Sequence, residues 1–289
     1  MMLTIFTPTY NRGPFLHRVY QSLLRQDNTD FEWLIVDDGS TDDTAEIVQA
    51  FLNDKKIDIR YYQKENGGKH TAYNLALEQA RGDWFLCLDA DDFLHDDALL
   101  HIRQLTDRTP NSLGIIAYKQ DTYGKRLSDD FPQNMAQCKV SDLDLRYDCH
   151  GEFTLIYPTK IAAQYKFPVF QNEKFVGESI VYDRIDQVCN VVLLPETITV
   201  CEYQPDGYSS NFARLMKNNP SGFCLYFLQR IDLQTKLLQR IIHAGKYWCF
   251  RWISGQTELT YTGKHKLLVA LSAFPGLAFR IYYKLFRNI

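Results

Sequence analysis

Residues 85–93 read FLCLDADDF, an apolar run that stops abruptly at a cluster of carboxylates. Four consecutive apolar residues with polar neighbours are typical of a strand that is buried on both faces of a parallel sheet. Asp89, Asp91 and Asp92 then lie at the carboxyl end of that strand, where open α/β sheets bind ligands. We predict a strand over residues 83–88 and a functional turn directly after it.

The same pattern of a short apolar strand followed by polar residues occurs three times upstream. We predict strands over residues 3–8, 31–36 and 57–62, separated by helices over 16–26, 41–52 and 69–80. Such alternation indicates a parallel sheet with helices on both faces. The polar residues therefore meet at one edge of the sheet. They are Pro8, Tyr10, Asn11 and Arg12; Asp37 and Asp38; Asn66, Gly67, Gly68 and Lys69; and Asp89, Asp91 and Asp92.

The alternation of strands and helices becomes less regular after residue 110. The pattern predicts strands over 113–118, 151–158 and 191–200, with a helix near 178–189. Residues 212–247 are mainly helical in pattern, and residues 264–287 resemble one or two amphipathic helices interrupted at Pro275. We therefore predict a domain of residues 1–210, in two halves (1–110 and 111–210), followed by a basic helical extension of residues 211–289.

Composition indicates a folded protein of a reducing compartment. The chain has 289 residues, of which 45% are hydrophobic and 23% charged, a normal globular balance. Its seven cysteines never form a CxxC motif, which argues against a disulfide framework and a structural zinc site. No signal peptide and no membrane-spanning stretch is visible. We expect a cytoplasmic protein.

Charge is unevenly distributed along the chain. The net charge is −3, but the residues from Asn211 onward carry twelve Lys or Arg against two acids, a net +10, so the first 210 residues carry −13. A basic, aromatic-rich tail suits an anionic surface, whereas an acidic body suits metals or polyhydroxylated ligands.

The residues at the strand ends match the parts of a nucleoside diphosphate. Crowded carboxylates at Asp89, Asp91 and Asp92 repel one another unless a divalent cation neutralises them, and oxygen ligands select Mg²⁺ or Mn²⁺. Lys69 adds a positive charge suited to phosphate, as does Arg12. Tyr10 offers a ring face to a base, and the Asp38 carboxylate can accept the imino N–H of uracil.

Four motifs in order, TPTYNR (7–12), LIVDDGSTDDT (34–44), NGGKHTAYNLAL (66–77) and FLCLDADDF (85–93), resemble the family 2 inverting glycosyltransferases of the GT-A fold. The resemblance implies a Rossmann-like mixed sheet whose first half (1–110) binds a nucleotide sugar and whose second half (111–210) binds the acceptor. It also implies roles for individual residues. Pro8, Tyr10 and Asp38 would contact the nucleoside, Asp37 would support their loop, Lys69 would lie near the sugar diphosphate, and Asp89-Ala90-Asp91 would be the DxD element, with Asp91 or Asp92 on the metal.

The second half resembles the family in a further segment, FP (167–168) followed by NEKFVGE (172–178). The resemblance implies that Glu178 is the catalytic base, with Asp183 and Glu173 as alternatives. This chain has Glu178-Ser179 where the family commonly has Glu-Asp. Glu202-Tyr203 together with Asp206-Gly207-Tyr208-Ser209 resembles a mobile loop of the family that folds over the donor. The implied reaction is a single displacement that inverts the anomeric carbon, with a saccharide or lipid-linked saccharide as acceptor.

Several alternatives remain open at this stage. The donor motifs also suit a non-catalytic nucleotide-sugar-binding protein, and Asp89 with Asp91 also suits a phosphohydrolase. A dinucleotide oxidoreductase is excluded because no GxGxxG follows the first strand, and no nucleic-acid-binding motif accompanies the basic tail. Residues 264–289 either dock on the anionic inner face of a bacterial membrane or form a helical pair packed on the domain. Oligomeric state and sugar identity are not predicted.

Overall fold

The computed structural model describes residues 2–27, 30–202, 204 and 212–287. By internal contacts the chain divides into two compact units. The first comprises Met1–Lys166 and Arg184–Gln204, and the second comprises Phe167–Asp183 and Pro205–Ile289. Segment 167–183 thus groups with the C-terminal helices, and the predicted domain boundary near residue 210 stays a prediction.

The described part of the chain forms nine strands and twelve α-helices. The strands are β1 (Leu3–Thr9), β2 (Phe31–Asp37), β3 (Asp58–Gln63), β4 (Trp84–Cys87), β5 (Phe93–Leu94), β6 (Gly114–Asp121), β7 (Gln137–Cys138), β8 (Phe153–Pro158) and β9 (Val191–Cys201). The helices are α1 (Gly13–Leu24), α2 (Thr44–Asp54), α3 (Lys69–Gln79), α4 (Ala98–Thr106), α5 (Val140–Tyr147), α6 (Thr159–Ala162), α7 (Ser179–Ile185), α8 (Phe212–Asn218), α9 (Pro220–Leu233), α10 (Leu237–Ser254), α11 (Lys266–Leu271) and α12 (Ala273–Tyr282), with a π-helical turn at Tyr283–Arg287.

Within the described residues, the first unit is built on one mixed sheet of nine strands. Strands β3, β2, β1 and β4 are parallel neighbours, as the alternation predicts. Strand β8 then pairs antiparallel with both β4 and β6. Strand β9 runs parallel to β6 and also pairs with the short strands β5 and β7. The predicted α/β class with a mixed sheet is confirmed.

The core of the first unit forms because its central strands are apolar on both faces. Every residue of β1 and β2 is buried, including Trp33 of β2. Helix α1 turns Tyr20 inward, and that ring stacks on Phe51 of α2 with centroids 4.3 Å apart. Both rings also lie against Trp33 of β2, with centroids 6.0 and 5.9 Å apart, so α1 and α2 pack together on one face of the sheet.

The second unit contains its own aromatic core. Phe223 and Phe227 of α9 stack with Phe250 of α10 at centroid distances of 5.6 and 5.5 Å. Helix α12 crosses α10 closely, since a Cβ on Gly276 would lie 2.7 Å from the Cβ of Trp248. The helical C-terminal extension is thus present.

Two predicted boundaries are wrong in detail. The break between the last two helices is at Ser272 rather than at Pro275, which lies in the first turn of α12. Proline is tolerated there because the first N–H groups of a helix have no partner within it. Helix α7 ends at Ile185, four residues before the predicted end. None of the helices in the described residues has the combination of length and apolar character needed to traverse a lipid bilayer.

Candidate functional site

The carboxyl ends of β1 and β2 are tied together by their polar loops. The backbone N–H of Asn11 donates to Ser40 Oγ at 2.9 Å, and the Asn11 side-chain oxygen accepts from the Thr41 N–H at 2.8 Å. Asn11 has a φ of 51°, a conformation that asparagine tolerates better than most residues. Tyr10 remains 47% exposed beside this junction, so its ring is available to a ligand.

Asp37 is fully buried and serves the loop that follows it. One carboxylate oxygen accepts from the Ser40 N–H at 2.7 Å, and the other accepts from the Tyr61 hydroxyl at 2.7 Å. Burial, together with this hydrogen bond, raises the pKa of Tyr61. These contacts match the supporting role that the sequence resemblance implies for Asp37, which stays a prediction.

Asp38 is buried as well, and its carboxylate receives several donors from the β3–α3 loop. Lys64 Nζ lies 2.6 Å from Oδ1, and the backbone N–H groups of Gly67 and Gly68 donate at 3.0 and 2.6 Å. Gly68 has a φ of 94°, which favours glycine. The carboxylate therefore shapes the Gly67-Gly68 turn, and its predicted contact with a uracil N–H stays a prediction.

Lys69, the first residue of α3, reaches across to the turn after β4. Its Nζ lies 2.5 and 2.8 Å from the two carboxylate oxygens of Asp89. Burial opposes the charge on Asp89, but Lys69 and Lys119 outweigh it and hold the pKa of Asp89 below its ordinary value. The predicted cation and the predicted DxD element are therefore neighbours in space.

Asp91 and Asp92 differ sharply in their surroundings. Burial and the charge of Asp89 raise the pKa of Asp91, which is the behaviour of a carboxylate lacking a full counter-charge. Burial raises the pKa of Asp92 to about 6 even though Lys119 Nζ is 3.3 Å away. Asp92 also accepts from the Cys201 thiol at 3.2 Å. Asp92 thus points to buried protein partners, which makes Asp91 the better metal candidate of the two.

The geometry suits a divalent ion that retains water and substrate oxygens as ligands. In the part of the chain that the structure describes, no three His, Cys, Asp or Glu side chains are arranged to hold a metal by themselves. Mg²⁺ typically binds through one or two carboxylates plus phosphate oxygens of the substrate. Asp91, with its raised pKa beside Asp89, fits that requirement.

Three basic residues that were not selected from the sequence, Arg18, Lys64 and Lys119, also contact the acidic residues at the strand ends. Arg18 of α1 donates to the Asp91 backbone oxygen at 3.4 Å and pairs with Glu202 at the end of β9. Its guanidinium also lies 5.5 Å from the ring centroid of Phe93. Lys64 and Lys119 bind Asp38 and Asp92 as described. In the sequence, Arg18 is simply a cation next to the apolar positions of a predicted helix. Such cations are common on protein surfaces, so nothing in the sequence selects this one.

The sequence model of a family described as "Glycosyl transferase family 2" matches residues 4–161, more than half of the chain. The chain belongs to glycosyl transferase family 2. The matched range contains every donor-side residue discussed above, from Pro8 to Asp92. The family assignment removes the phosphohydrolase alternative for Asp89 and Asp91.

Named relatives of this family 2 chain are similar to about two fifths of it or less. It is 31% identical over 121 residues to poly(ribitol-phosphate) beta-N-acetylglucosaminyltransferase TarS of Staphylococcus aureus, which is 41% of this chain and 21% of TarS. It is 39% identical over 99 residues to chondroitin synthase of Escherichia coli, which is 34% of this chain and 14% of that protein. The matches thus span about a fifth or less of these two relatives.

Solved structures extend the similarity in fold to nearly the whole family 2 chain. Staphylococcus aureus TarS 1–349 in complex with UDP-GlcNAc has a TM-score of 0.61 at 20% identity, covering 98% of this chain and 92% of that one. The mannosyltransferase PcManGT from Pyrobaculum calidifontis, in complex with GDP-Man and Mn²⁺, has a TM-score of 0.58 at 18% identity, covering 99% and 83%. The predicted GT-A fold is confirmed.

The candidates for the base of a family 2 enzyme lie in the second unit. Glu173 accepts the N–H groups of Ser221 and Gly222 at 2.7 and 2.9 Å, which caps the N-terminus of α9. Asp183 is buried with Arg230, whose Nε is 2.8 Å from its Oδ2. Both alternatives to Glu178 therefore have structural partners.

Glu178 immediately precedes α7, and its backbone oxygen accepts from Val181 and Tyr182. Its assignment as the base stays a prediction. The predicted mobile loop at residues 203 and 206–209 lies outside the described residues.

Proposed function

We propose that this chain is a metal-dependent inverting glycosyltransferase that moves a sugar from a nucleoside-diphosphate sugar, preferably a UDP-sugar, to a hydroxyl acceptor. The observation that supports it best is the Lys69–Asp89 ion pair beside Asp91, at the strand edge where the family motifs converge. This edge combines an exposed aromatic ring, cations and a carboxylate with a raised pKa, which are the groups needed to hold a nucleotide, a diphosphate and a metal.

The donor contacts follow from the position of each group. Tyr10 would stack on the base, Pro8 and Asp38 would border the nucleoside, and Arg12 and Lys69 would face the diphosphate. Asp91, supported by Asp89, would hold Mn²⁺ or Mg²⁺. When bound, that ion supplies positive charge that stabilises the departing nucleoside diphosphate. The UDP-GlcNAc in the solved TarS complex supports a uridine donor for this chain.

The proposed reaction is a single displacement. Glu178 takes the proton of an acceptor hydroxyl, whose oxygen forms a bond to the anomeric carbon while the bond from that carbon to the diphosphate oxygen breaks. The nucleoside diphosphate leaves with the bonding electron pair, and the configuration at the anomeric carbon inverts. An α-linked donor thus yields a β-linked product.

The acceptor is proposed to be a growing bacterial surface polysaccharide or a lipid-linked saccharide at the inner face of the cytoplasmic membrane. The support comes from the names of the relatives, since TarS glycosylates poly(ribitol-phosphate) and chondroitin synthase makes a polysaccharide. The identity of the transferred sugar is left to the experiment.

The test is a thermal-shift screen of nucleoside diphosphates and nucleotide sugars, with and without Mn²⁺, followed by a turnover assay. A ligand that binds the native state raises its melting temperature, by an amount that grows with ligand concentration over Kd. Asp91→Asn is expected to lose the metal-dependent shift, whereas Glu178→Gln is expected to keep the shift and lose turnover.

Matched controls are Asp97→Asn and Glu196→Gln, which alter exposed carboxylates of the same types. If none of the nucleoside diphosphates or nucleotide sugars raises the melting temperature of wild type in the presence of Mn²⁺, the proposal is wrong. If wild type shows the shift but no turnover with any acceptor tested, the non-catalytic nucleotide-sugar-binding alternative is favoured.

A further inference from the structure

The last two helices carry an exposed apolar stripe. We define the stripe as Leu267, Leu271, Phe274, Leu277, Ile281 and Leu285, which follow one another at steps of three or four residues and so lie along one side of the helical segment. Each is at least half exposed, up to 79% for Phe274. Scattered surface apolar residues are normal, but a continuous row of six marks an interaction surface.

The stripe is separate from the side of the segment that holds it in the protein. Val269, Gly276 and Tyr283 are buried on the opposite side. The Trp248 indole N–H of α10 donates to the Val269 backbone oxygen at 2.7 Å, and the Tyr283 ring lies 5.6 Å from that of Phe250. Because α11 and α12 are already fixed by these contacts, the stripe is not needed for packing within its unit.

The charged residues of the segment that carries the stripe are all of one sign. Residues 259–289 contain no Asp or Glu, and Lys264, Lys266, Arg280 and Lys284 are all exposed. Soluble surfaces normally intersperse acidic and basic residues. A row of large apolar side chains, on a segment whose own charged side chains are all cations, is complementary to an anionic lipid surface, where the apolar side chains enter the acyl boundary and the cations meet headgroups.

We propose that the stripe and its four bordering cations insert α11 and α12 into the interface of an anionic lipid bilayer, with the helices lying in its plane. The inference does not depend on the proposed reaction, because lipid binding is measured without a donor or an acceptor. Each Lys or Arg near an anionic surface adds attraction to the headgroups, and each inserted Leu or Phe removes further apolar surface from water.

The test is co-sedimentation of the full chain with vesicles of phosphatidylcholine alone, or of phosphatidylcholine with about one third phosphatidylglycerol. Two variants probe the surface: Leu267→Ser with Phe274→Ser, and a variant in which Lys264, Lys266, Arg280 and Lys284 all become Gln. The matched controls lie in the first unit: Leu100→Ser with Val188→Ser, and a variant in which Lys55, Lys56, Lys125 and Lys160 all become Gln. Thermal melting and circular dichroism confirm that every variant is folded.

Wild type is expected to bind the anionic vesicles, with partitioning that falls as salt is raised. Both stripe-region variants are expected to lose about tenfold or more of that partitioning, while both control variants bind like wild type. The inference is overturned if wild type stays in the supernatant, or if test and control variants bind equally. It is also overturned if the chain forms an oligomer that the Leu267→Ser, Phe274→Ser variant converts to monomer, because a second copy then covers the stripe.

Discussion

At the residue scale, buried carboxylates at the strand edge are satisfied by the protein itself before any ligand binds. Asp37 and Asp38 are adjacent, yet Asp37 orders its own loop through Ser40 whereas Asp38 orders the loop after β3 through Lys64, Gly67 and Gly68. Charge-assisted hydrogen bonds of this kind are stronger than neutral ones. The shape of the proposed donor pocket therefore depends on the Asp38 carboxylate, which is 26, 29 and 30 residues away in sequence from Lys64, Gly67 and Gly68.

Asp38→Asn is expected to destabilise the protein by about 2–4 kcal/mol, because the change leaves the buried end of Lys64 without its counter-charge and replaces acceptors by an amide donor. Urea unfolding monitored by circular dichroism measures this loss. The control is Asp97→Asn on the exposed start of α4, which is expected to unfold like wild type. Unchanged stability combined with lost nucleotide binding would show that Asp38 acts on the ligand rather than on the loop.

Arg18→Gln is expected to weaken metal-dependent nucleotide binding by about tenfold, because the guanidinium holds the Asp91 backbone and the end of β9 together. A titration of UDP with Mn²⁺ by thermal shift gives the apparent Kd. Arg25→Gln, at the end of the same helix, removes an exposed pair with Asp96 and is the matched control. Equal Kd values for the two variants would contradict the positioning role of Arg18.

At the element scale, the strands are joined by a few buried polar side-chain contacts as well as by their backbone hydrogen bonds. Glu32 of β2 is completely buried and accepts from Thr4 of β1, Arg60 of β3 and Arg81 before β4. It thus connects four segments near the amino ends of the strands, whereas the proposed site is at their carboxyl ends. Helices of the second unit rely instead on close approach, where Gly245 and Gly276 leave room for neighbouring side chains.

Glu32→Gln is expected to lower the free energy of unfolding by about 2–4 kcal/mol at neutral pH, since Arg60 and Arg81 lose their shared counter-charge. Burial raises the pKa of Glu32, but the hydrogen bonds from Thr4, Arg81 and Arg60 outweigh it, so the pKa lies below its ordinary value of 4.5. The stabilisation is therefore complete above that value and is lost as the pH falls through the lowered pKa. Urea unfolding of both proteins across this range is expected to show the difference narrowing in acid, and a constant difference would contradict it. Glu196→Gln is the exposed control.

Gly276→Ala is expected to destabilise the second unit by about 1–3 kcal/mol, because the added methyl group would lie 2.7 Å from Trp248 Cβ and 2.9 Å from the Gly245 backbone oxygen. Thermal melting monitored by circular dichroism measures the effect. Gly177→Ala is the control in the same unit, since its new Cβ would meet only Ser179 Oγ, at 3.9 Å. Equal melting temperatures for the two variants would show that α10 and α12 are less tightly packed than described.

At the scale of the whole molecule, charge is divided unevenly between two parts of the chain. The first 210 residues carry −13 and the remainder carries +10, so the proposed metal site and the proposed lipid surface belong to regions of opposite sign.

All seven cysteines are free, and six of them are buried. Burial raises the pKa of Cys138 and Cys224 to about 12 and of Cys189 and Cys249 to about 11.

Thiol titration with Ellman's reagent is expected to find one readily reacting cysteine in the native protein, Cys87, which is half-buried. The others react slowly because the thiolate is the reactive form and both burial and the raised pKa suppress it. After denaturation without reductant, all seven are expected to react. A Cys87→Ser variant identifies the fast thiol. A lower total would reveal a disulfide, and several fast thiols in the native state would contradict the described burial.

Local sequence pattern determined the four parallel strands, the helices between them and the polar residues at the strand ends. Strand periodicity and turn chemistry act over a few residues, so they are readable without knowing any partner. The basic composition of the tail is likewise readable from the sequence, and the anionic surface it suggests stays a prediction. The insertion of β8 between β4 and β6 was not predictable, because the pairing of strands distant in sequence depends on the competition among all the strands of the sheet.

The tertiary structure alone decided which charges meet. It pairs Lys64 with Asp38, Lys119 with Asp92 and Arg18 with Glu202, and so distinguishes the buried, partnered Asp92 from the metal candidate Asp91. It also decided which side of the last two helices packs on α10 and which stays exposed. The physical reason is that burial and electrostatic pairing are properties of positions in space, which the chain reaches only after distant segments have come together.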